Sequence, residues 1–519
     1  MGHGGQPPAA DGIHKQRRFR ASAGGWMEPA VWLAGIGQAA VAYNIFIINI
    51  VLEMMDPGHP QTATDRACVA AATLVGAVVG QLVIGVLVDR LTVRHMFVAT
   101  SVLTAAGAVG SACVQPGCNV PIYVQLAVAR VVLGVGVGGE YPVGAKVASA
   151  AASSTAGSLA GVFSMQGLGT LLTALAALAV LAAGCPLDLA WRLALAVGAL
   201  PALLTLHSRW QHAGLIDAAG PGGKLLAGAA SAAETTDAGG ADSGMRAPAP
   251  VAELGWWRKH KPLVGTAGSW FLFDLVYYSN GLFSATVARL ILANSSSAAT
   301  AAAAATTTTS ASVGGGGLME EAVATMLLAV VALPGYWVSV VYLDKLGCRL
   351  VQQLGFGMLA VLFTTIGLFY PALQQLPSLF FLLYSLTFFF SNFGPNVTTY
   401  VVPATIFPPQ VRATYHGISA ATGKAGAALG GFLLPELQTA VGLQCVFLAC
   451  GCVSAVGVLW TAAMTPEDCT PLARWPDSTP LDSKLQVSKP SELSTGARLV
   501  PPHTSSSEVL SSYGATEPT

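Results

Sequence analysis

Uncharged, mainly apolar runs recur along the chain at lengths that suit one or two membrane crossings. No Asp, Glu, Lys or Arg occurs from Met96 to Ala129, from Val147 to Leu187, from Leu350 to Val411, or from Leu437 to Pro466. A spanning helix needs about 20 mainly apolar residues, because its backbone has to satisfy itself where water is absent. The longest run therefore holds two helices and a turn, with the break at Leu376-Pro377 after Gln374 and Gln375. The pattern predicts helices over 29–52, 67–88, 96–114, 121–146, 157–183 and 188–207. A second set covers 262–292, 319–343, 350–373, 377–401, 411–436 and 441–464. The expected fold is an all-α membrane protein with twelve transmembrane helices in two six-helix halves.

The basic residues orient these spans. Lys15, Arg17, Arg18 and Arg20 precede the first span, Arg90 and Arg94 follow the second, Lys345 and Arg349 follow the eighth, and Arg412 precedes the eleventh. All fall on one side if both termini are cytoplasmic. The opposite turn after the first span carries Glu53, Asp56 and Asp65 with only Arg66. No cleavable signal peptide is visible, since residues 1–27 are polar and basic ahead of the first apolar run.

Between and after the spans the composition changes. Residues 1–28 read as a cytoplasmic N-terminal segment, 29–207 as the first half and 208–261 as a flexible cytoplasmic linker rich in Ala, Gly and Asp. Residues 262–464 form the second half, and the Ser/Thr/Pro-rich stretch 465–519 reads as a disordered cytoplasmic tail. Ser295–Gly317 is a low-complexity outer loop, and Asn294-Ser295-Ser296 beside it fits a glycosylation acceptor.

Composition agrees with the span pattern. Charged residues are 10% of the 519, against about 25% in soluble domains, hydrophobic residues are 53% and the mean hydropathy is +0.61. Lys+Arg and Asp+Glu are both 25, so no basic excess exists to hold nucleic acid. The nine Cys include no CxxC pair, which argues against a metal ribbon. Cys113 and Cys118 share one outer turn, as a disulfide or as two free thiols. No Ser-His-Asp constellation, HExxH or Walker A sequence is present, so the expectation is not an enzyme, with no cofactor and no metal.

An internal repeat gives the first mechanistic sign. The second span ends Gly80-Gln81, Gly85, Asp89-Arg90 and Arg94; the eighth ends Pro334-Gly335-Tyr336, Asp344-Lys345, Gly347 and Arg349. Small residues, an acid and then bases close the same helix of each half, the usual construction of secondary transporters. This resembles the loop motif of the major facilitator superfamily. The resemblance implies that fold and a conformational role for Asp89, Arg90, Arg94, Asp344, Lys345 and Arg349, with pairs that hold one access state.

Further blocks narrow the resemblance. Leu133-Gly134-Val135-Gly136-Val137-Gly138-Gly139-Glu140-Tyr141-Pro142, Phe163-Ser164-Met165-Gln166-Gly167 and Gly265-Thr266-Ala267-Gly268-Ser269-Trp270-Phe271-Leu272-Phe273-Asp274 lie in spans four, five and seven. Asn392-Phe393-Gly394-Pro395-Asn396, then His416-Gly417-Ile418-Ser419-Ala420 and Gly423-Lys424, lie in spans ten and eleven. In this order they resemble the phosphate:proton symporters of plants and fungi, over about residues 29–465. The resemblance implies a secondary transporter of inorganic phosphate, coupled to protons, in the plasma membrane.

The residues support such a site independently. Trp270, Asp274 and Tyr278 are spaced four apart on one helix face. An ionisable group at bilayer depth faces a wet cavity or a partner, which makes Asp274 a functional candidate and a proton site. Trp270 and Tyr278 donate hydrogen bonds to an oxyanion beside it. Tyr141, Gln166 and Asn396 match family phosphate contacts and are expected to act as neutral donors. Lys424, mid-span in an otherwise uncharged stretch, needs an acid or an anion, with Glu140 and Asp274 the candidates. Proton coupling falls to Asp274 and Glu140. Arg130 and Glu140 are ten residues apart, about 15 Å of rise, and should not pair. Lys146 is left without an assignment, and His416 reads as a packing or gating residue.

The sequence also departs from the family. Its Asp-Ala-Tyr-Asp in the first span is Val41-Ala42-Tyr43-Asn44 here, its Gly-Gly-Asp-Tyr-Pro carries Glu140, and its Pro-Gly-Glu after span ten is Pro403-Ala404-Thr405. Anion-binding positions are thus better kept than proton-path positions, which leaves open a symporter with a reduced proton path, a facilitator, or a carrier coupled to another ion. Alternatives are a carrier of another anion or a sugar in the same superfamily, and a non-transporting phosphate sensor.

Overall fold

The computed structural model describes residues 28–117, 119–150, 155–218, 256–303 and 316–467. Fifteen helices and no strand occur among them. In the first half these are α1 (Pro29–Met55), α2 (Ala63–Arg90), α3 (Val93–Ala112), α4 (Ile122–Ala150), α5 (Ala156–Ala182), α6 (Leu187–Val197) and α7 (Leu200–Ala218). The second half holds α8 (Trp256–Ala303), α9 (Gly316–Leu346), α10 (Cys348–Leu368), the single turn α11 (Tyr370–Leu373), α12 (Pro377–Phe393), α13 (Pro395–Ile406), α14 (Arg412–Val441) and α15 (Leu443–Met464).

Ten helical segments, with α6–α7 and α12–α13 each counted as one, are long and apolar enough to cross a membrane. The remaining two long helices, α8 and α14, carry Asp274 and Lys424 and many small polar residues, which lower their hydropathy. The chain is an integral, multi-pass membrane protein. Some bounds move from those the sequence predicts. The sixth span runs on to Ala218, because Arg209 is drawn into the protein interior and Asp217 accepts from the N–H groups of Val93 (2.8 Å) and Arg94 (3.0 Å). The first eleven residues of the expected linker are therefore helix, as are Trp256–Lys261 at its end; 219–255 lie outside the described residues. The seventh span continues through Asn294 to Ala303, so the start of the expected outer loop is helical as well. The expected N-terminal segment, but for Glu28, and the tail beyond Glu467 lie outside the described residues.

Local chemistry sets several ends. Thr62 and Asp65 form a capping box at α2, and Thr155 and Ser158 form one at α5. Gly347 (φ +83°) and Gly442 (φ +87°) join α9 to α10 and α14 to α15 as single residues, in backbone conformations that a Cβ disfavours. The break at Leu376-Pro377 falls where the sequence places it, and Gly394-Pro395 adds a second break within span ten. Cys113 is a free thiol; Cys118 lies outside the described residues.

At one end of the bundle the two halves are held together by two acids. Asp89 on α2 accepts from Thr414 N (2.7 Å), Thr414 Oγ1 (2.9 Å) and Ala413 N (3.4 Å) at the start of α14. Asp344 on α9 accepts from Gly157 N (3.0 Å) at the start of α5. Each acid thus caps a helix of the opposite half, where unpaired N–H groups and the helix dipole favour negative charge. Among the described residues, no base of the motif pairs across the halves. Arg90 and Lys345 are exposed, Arg94 lies over the Trp210 ring (3.5 Å to its centroid), and Arg349 pairs with Glu467 (2.8 Å). The partner of Asp89 is instead Lys146 of its own half (2.7 Å), and Arg412 donates to Ser149 across the halves (2.8 Å). The cross-half pairing expected of the bases is therefore made by helix N-termini, which present fixed donors without the entropy of long side chains.

α2 and α14 also meet backbone to backbone at this end. A Cβ on Gly417 would stand 2.1 Å from the Gln81 carbonyl oxygen, so only glycine fits. Gly417→Leu is expected to force this end apart, with the lipid-buried helices intact. The check is water-soluble maleimide labelling of a cysteine placed at Ser149, which should speed up by about tenfold or more, a shift of about 1.4 kcal/mol in opening.

Candidate functional site

Mid-bundle, α8 and α14 lie against each other and bring opposite charges together. Lys424 Nζ is 2.9 Å from Asp274 Oδ2 and 2.7 Å from the Tyr278 hydroxyl, and both members of the ion pair are about 2–3% exposed. Their approach depends on Gly423, where a Cβ would lie 2.4 Å from the Trp270 ring. Of the two acids the sequence offers to Lys424, the structure selects Asp274. The ammonium also stands 4.4 Å from the Tyr278 ring centroid and 5.5 Å from that of Tyr141, which is within cation–π range.

An aromatic wall encloses this pair. Tyr141 lies 5.9 Å from Trp270 and 6.4 Å from Tyr400, and Phe163 stacks on Tyr400 at 4.7 Å. Phe46 of α1 stacks on Tyr278 at 6.2 Å, so the two halves meet here too. His416 is fully buried between Trp270 (5.5 Å) and Tyr400 (4.9 Å), edge-on to both, which makes it a packing residue.

Six predicted residues, Tyr141, Gln166, Trp270, Asp274, Tyr278 and Lys424, thus share one centre. The seventh, Asn396, reaches it through Tyr336, whose ring is 6.3 Å from Phe163. The donor role expected of the two amides differs in the structure. Gln166 Nε2 already donates to Gln38 Oε1 (2.9 Å) and Tyr141 Oη (3.0 Å). Asn396 Nδ2 already donates to Tyr336 Oη (2.9 Å) and Asn392 Oδ1 (2.8 Å). Both amide nitrogens are therefore spoken for. The donors left for an anion are the hydroxyl protons of Tyr141 and Tyr278 and the Lys424 ammonium, joined by the Trp270 indole, which faces Asp274, when an anion takes that acid's place.

Glu140 belongs to a different cluster. Its Oε1 accepts from Arg209 (2.5 Å) and Thr100 (2.5 Å), with the Arg209 guanidinium over the Phe97 ring (4.2 Å). Arg209 is the residue that sequence reasoning missed, because it lies beyond the apolar run and was assigned to the linker. Val41 and Gly37 line this cluster. Asn44, the second departure, donates to the Ala40 and Gly198 carbonyls (both 2.9 Å) at the joint between α6 and α7. An ionised carboxylate in that place has no proton to donate, so the amide suits a structural joint. Arg130 donates to Thr73 Oγ1 (3.0 Å) and to the Asn44 carbonyl, and no carboxylate among the described residues pairs with it.

Comparisons with known proteins give the family. The family model described as "Sugar (and other) transporter" matches residues 30–210 and 305–469. Inorganic phosphate transporter 1-11 of Oryza sativa subsp. japonica is 32% identical over 454 residues, covering 79% of this chain and 79% of that protein. The chain belongs to this transporter family, among the inorganic phosphate transporters. Probable inorganic phosphate transporter 1-6 of Arabidopsis thaliana is 30% identical over 83% of this chain and 90% of its own length. Among solved structures, the proton:xylose symporter XylE bound to 6-bromo-6-deoxy-D-glucose aligns with a TM-score of 0.58 at 16% identity, over 86% of this chain and 97% of that one. That likeness gives the major facilitator fold.

The Glu140–Arg209 pair generates a stability prediction. Removing one member strands a buried charge, at about 3–5 kcal/mol, whereas replacing both with apolar residues is close to neutral. Glu140→Leu should lower the Tm of the detergent-solubilised protein strongly, and Glu140→Leu combined with Arg209→Leu should restore most of it. Equal losses in the single and double variants would contradict the assigned pair.

Proposed function

We propose that the protein is a secondary transporter that moves inorganic phosphate across a membrane by alternating access, coupled to protons. The observation that carries this reading is the buried Lys424–Asp274 pair beside Tyr141 and Trp270. It rests as well on the names of the curated relatives, which are inorganic phosphate transporters.

A buried ion pair neutralises itself and offers an anion little. Protonation of Asp274 removes the negative charge and leaves Lys424 as the sole charge of the centre. A monoanion then takes the place of the carboxylate at the ammonium, with Tyr141 and Trp270 donating to its oxygens. Loss of the proton restores the carboxylate, which competes for Lys424 and expels the anion. Proton and phosphate therefore travel together by mutual dependence of binding. Glu140 is compensated by Arg209 and stands outside this exchange; Asp274 alone carries the proton.

The halves 29–218 and 256–464 would rock about this centre. Asp89 and Asp344 hold the end at which they lie closed, and release of both caps opens it. The Lys and Arg flanking α1, α2 and α9 favour a cytoplasmic place for that end, with both termini on the same side; the proposed location is the plasma membrane.

Labelled phosphate uptake into proteoliposomes, with and without an inward proton gradient, tests the reading. Wild-type uptake should rise with the gradient. In Asp274→Asn that stimulation should vanish, because the amide cannot exchange a proton. Uptake that ignores the gradient in wild type, or a variant that still responds to it, contradicts proton coupling through Asp274; no phosphate uptake at all contradicts the substrate.

A further inference from the structure

Two amides of the centre have fixed orientations, and the reason lies outside the centre. Gln38 on α1 is fully buried and donates its Nε2 to the Glu140 carbonyl oxygen (3.3 Å). A carbonyl only accepts, so Gln38 must turn its nitrogen there and its oxygen toward Gln166. Gln166 answers with its own nitrogen (2.9 Å), and that nitrogen's second proton goes to Tyr141. The second half repeats the arrangement. Asn392 donates Nδ2 to the Ala332 carbonyl oxygen (3.1 Å) and so turns its oxygen to Asn396. Asn396 gives it one proton (2.8 Å) and gives the other to Tyr336.

Both relays end in the same way. Gln166 Oε1 and Asn396 Oδ1 receive no hydrogen bond from the described residues. A bound oxyanion that carries O–H groups can therefore donate to both.

We propose that Gln38 and Asn392 are positioning residues that lock Gln166 and Asn396 as acceptors, so that the site selects a tetrahedral oxyanion carrying O–H groups. Dihydrogen phosphate has two such groups. Sulfate, close in size and shape, has none. A site built to bond a substrate O–H discriminates strongly against an analogue without it, because its own polar groups go unpaired. The inference rests on the phosphate-transport reading and adds the origin of its selectivity. It also assigns a use to Gln38, a buried polar residue of the first span.

The test is inhibition of labelled phosphate uptake in proteoliposomes, below neutral pH, by sulfate and by difluorophosphate. Difluorophosphate is a tetrahedral monoanion in which fluorine replaces both O–H groups, so it matches dihydrogen phosphate in charge. In wild type neither should compete at about a hundredfold excess over phosphate. In Gln38→Met or Asn392→Leu the released amide can turn its nitrogen inward, and the ratio of the sulfate inhibition constant to the phosphate KM should fall about tenfold or more. A merely structural role would lower uptake and leave that ratio alone. An unchanged ratio in both variants overturns the proposal. So does competition by difluorophosphate in wild type on a par with phosphate, a measurement that needs no variant to fold. Absence of phosphate uptake by wild type would instead sink the transport reading itself.

Discussion

The structure turns on one pair of charges placed where water is scarce. Lys424 and Asp274 are each expensive to bury alone, and together they satisfy one another at 2.9 Å. Everything near them follows from the need to keep that pair both enclosed and exchangeable. Gly423 lets the two helices approach, the rings of Tyr141 and Tyr278 face the ammonium, and the Tyr278 hydroxyl gives it a second acceptor. A pair held this way is poised between two occupants for one cation, a carboxylate or an oxyanion.

The second charge pair shows the contrast. Glu140 and Arg209 are as deeply buried, but both members come from the first half and are further tied down there by Thr100 and Thr205. Such a pair fixes helices rather than exchanging ligands. The first-span acids of the family are absent at the positions beside it, Val41 lining the pair and Asn44 tying down the joint of α6 and α7. In the proposed mechanism the proton chemistry of this chain is thereby concentrated on a single acid in the second half.

Much of this was legible in the sequence, and the failures have a common cause. Apolar run length marked the spans, because a bilayer imposes it directly. Four-residue spacing put Trp270, Asp274 and Tyr278 on one face, because helix geometry is local. Lys424 announced itself as a charge needing a partner, but two acids were open to it and only the tertiary arrangement chose Asp274. Arg209 sits beyond an apolar run and read as linker until the fold buried it. The acids at the closed end were legible as charges, yet what they bind across the halves is largely backbone N–H, at Gly157, Ala413 and Thr414, which has no side-chain signature. Amide direction is the least legible of all: Gln166 and Asn396 look like donors until Gln38 and Asn392 are seen behind them.

The central claim is that a proton and an oxyanion exchange places around Lys424. Calorimetry of phosphate binding to the purified wild-type protein, in buffers of different ionisation heat, tests it most directly. The pH should be low enough that free phosphate is already the monoanion. Any proton taken up then goes to the protein. The account predicts uptake of about one proton per phosphate bound. Binding with no proton uptake would contradict it.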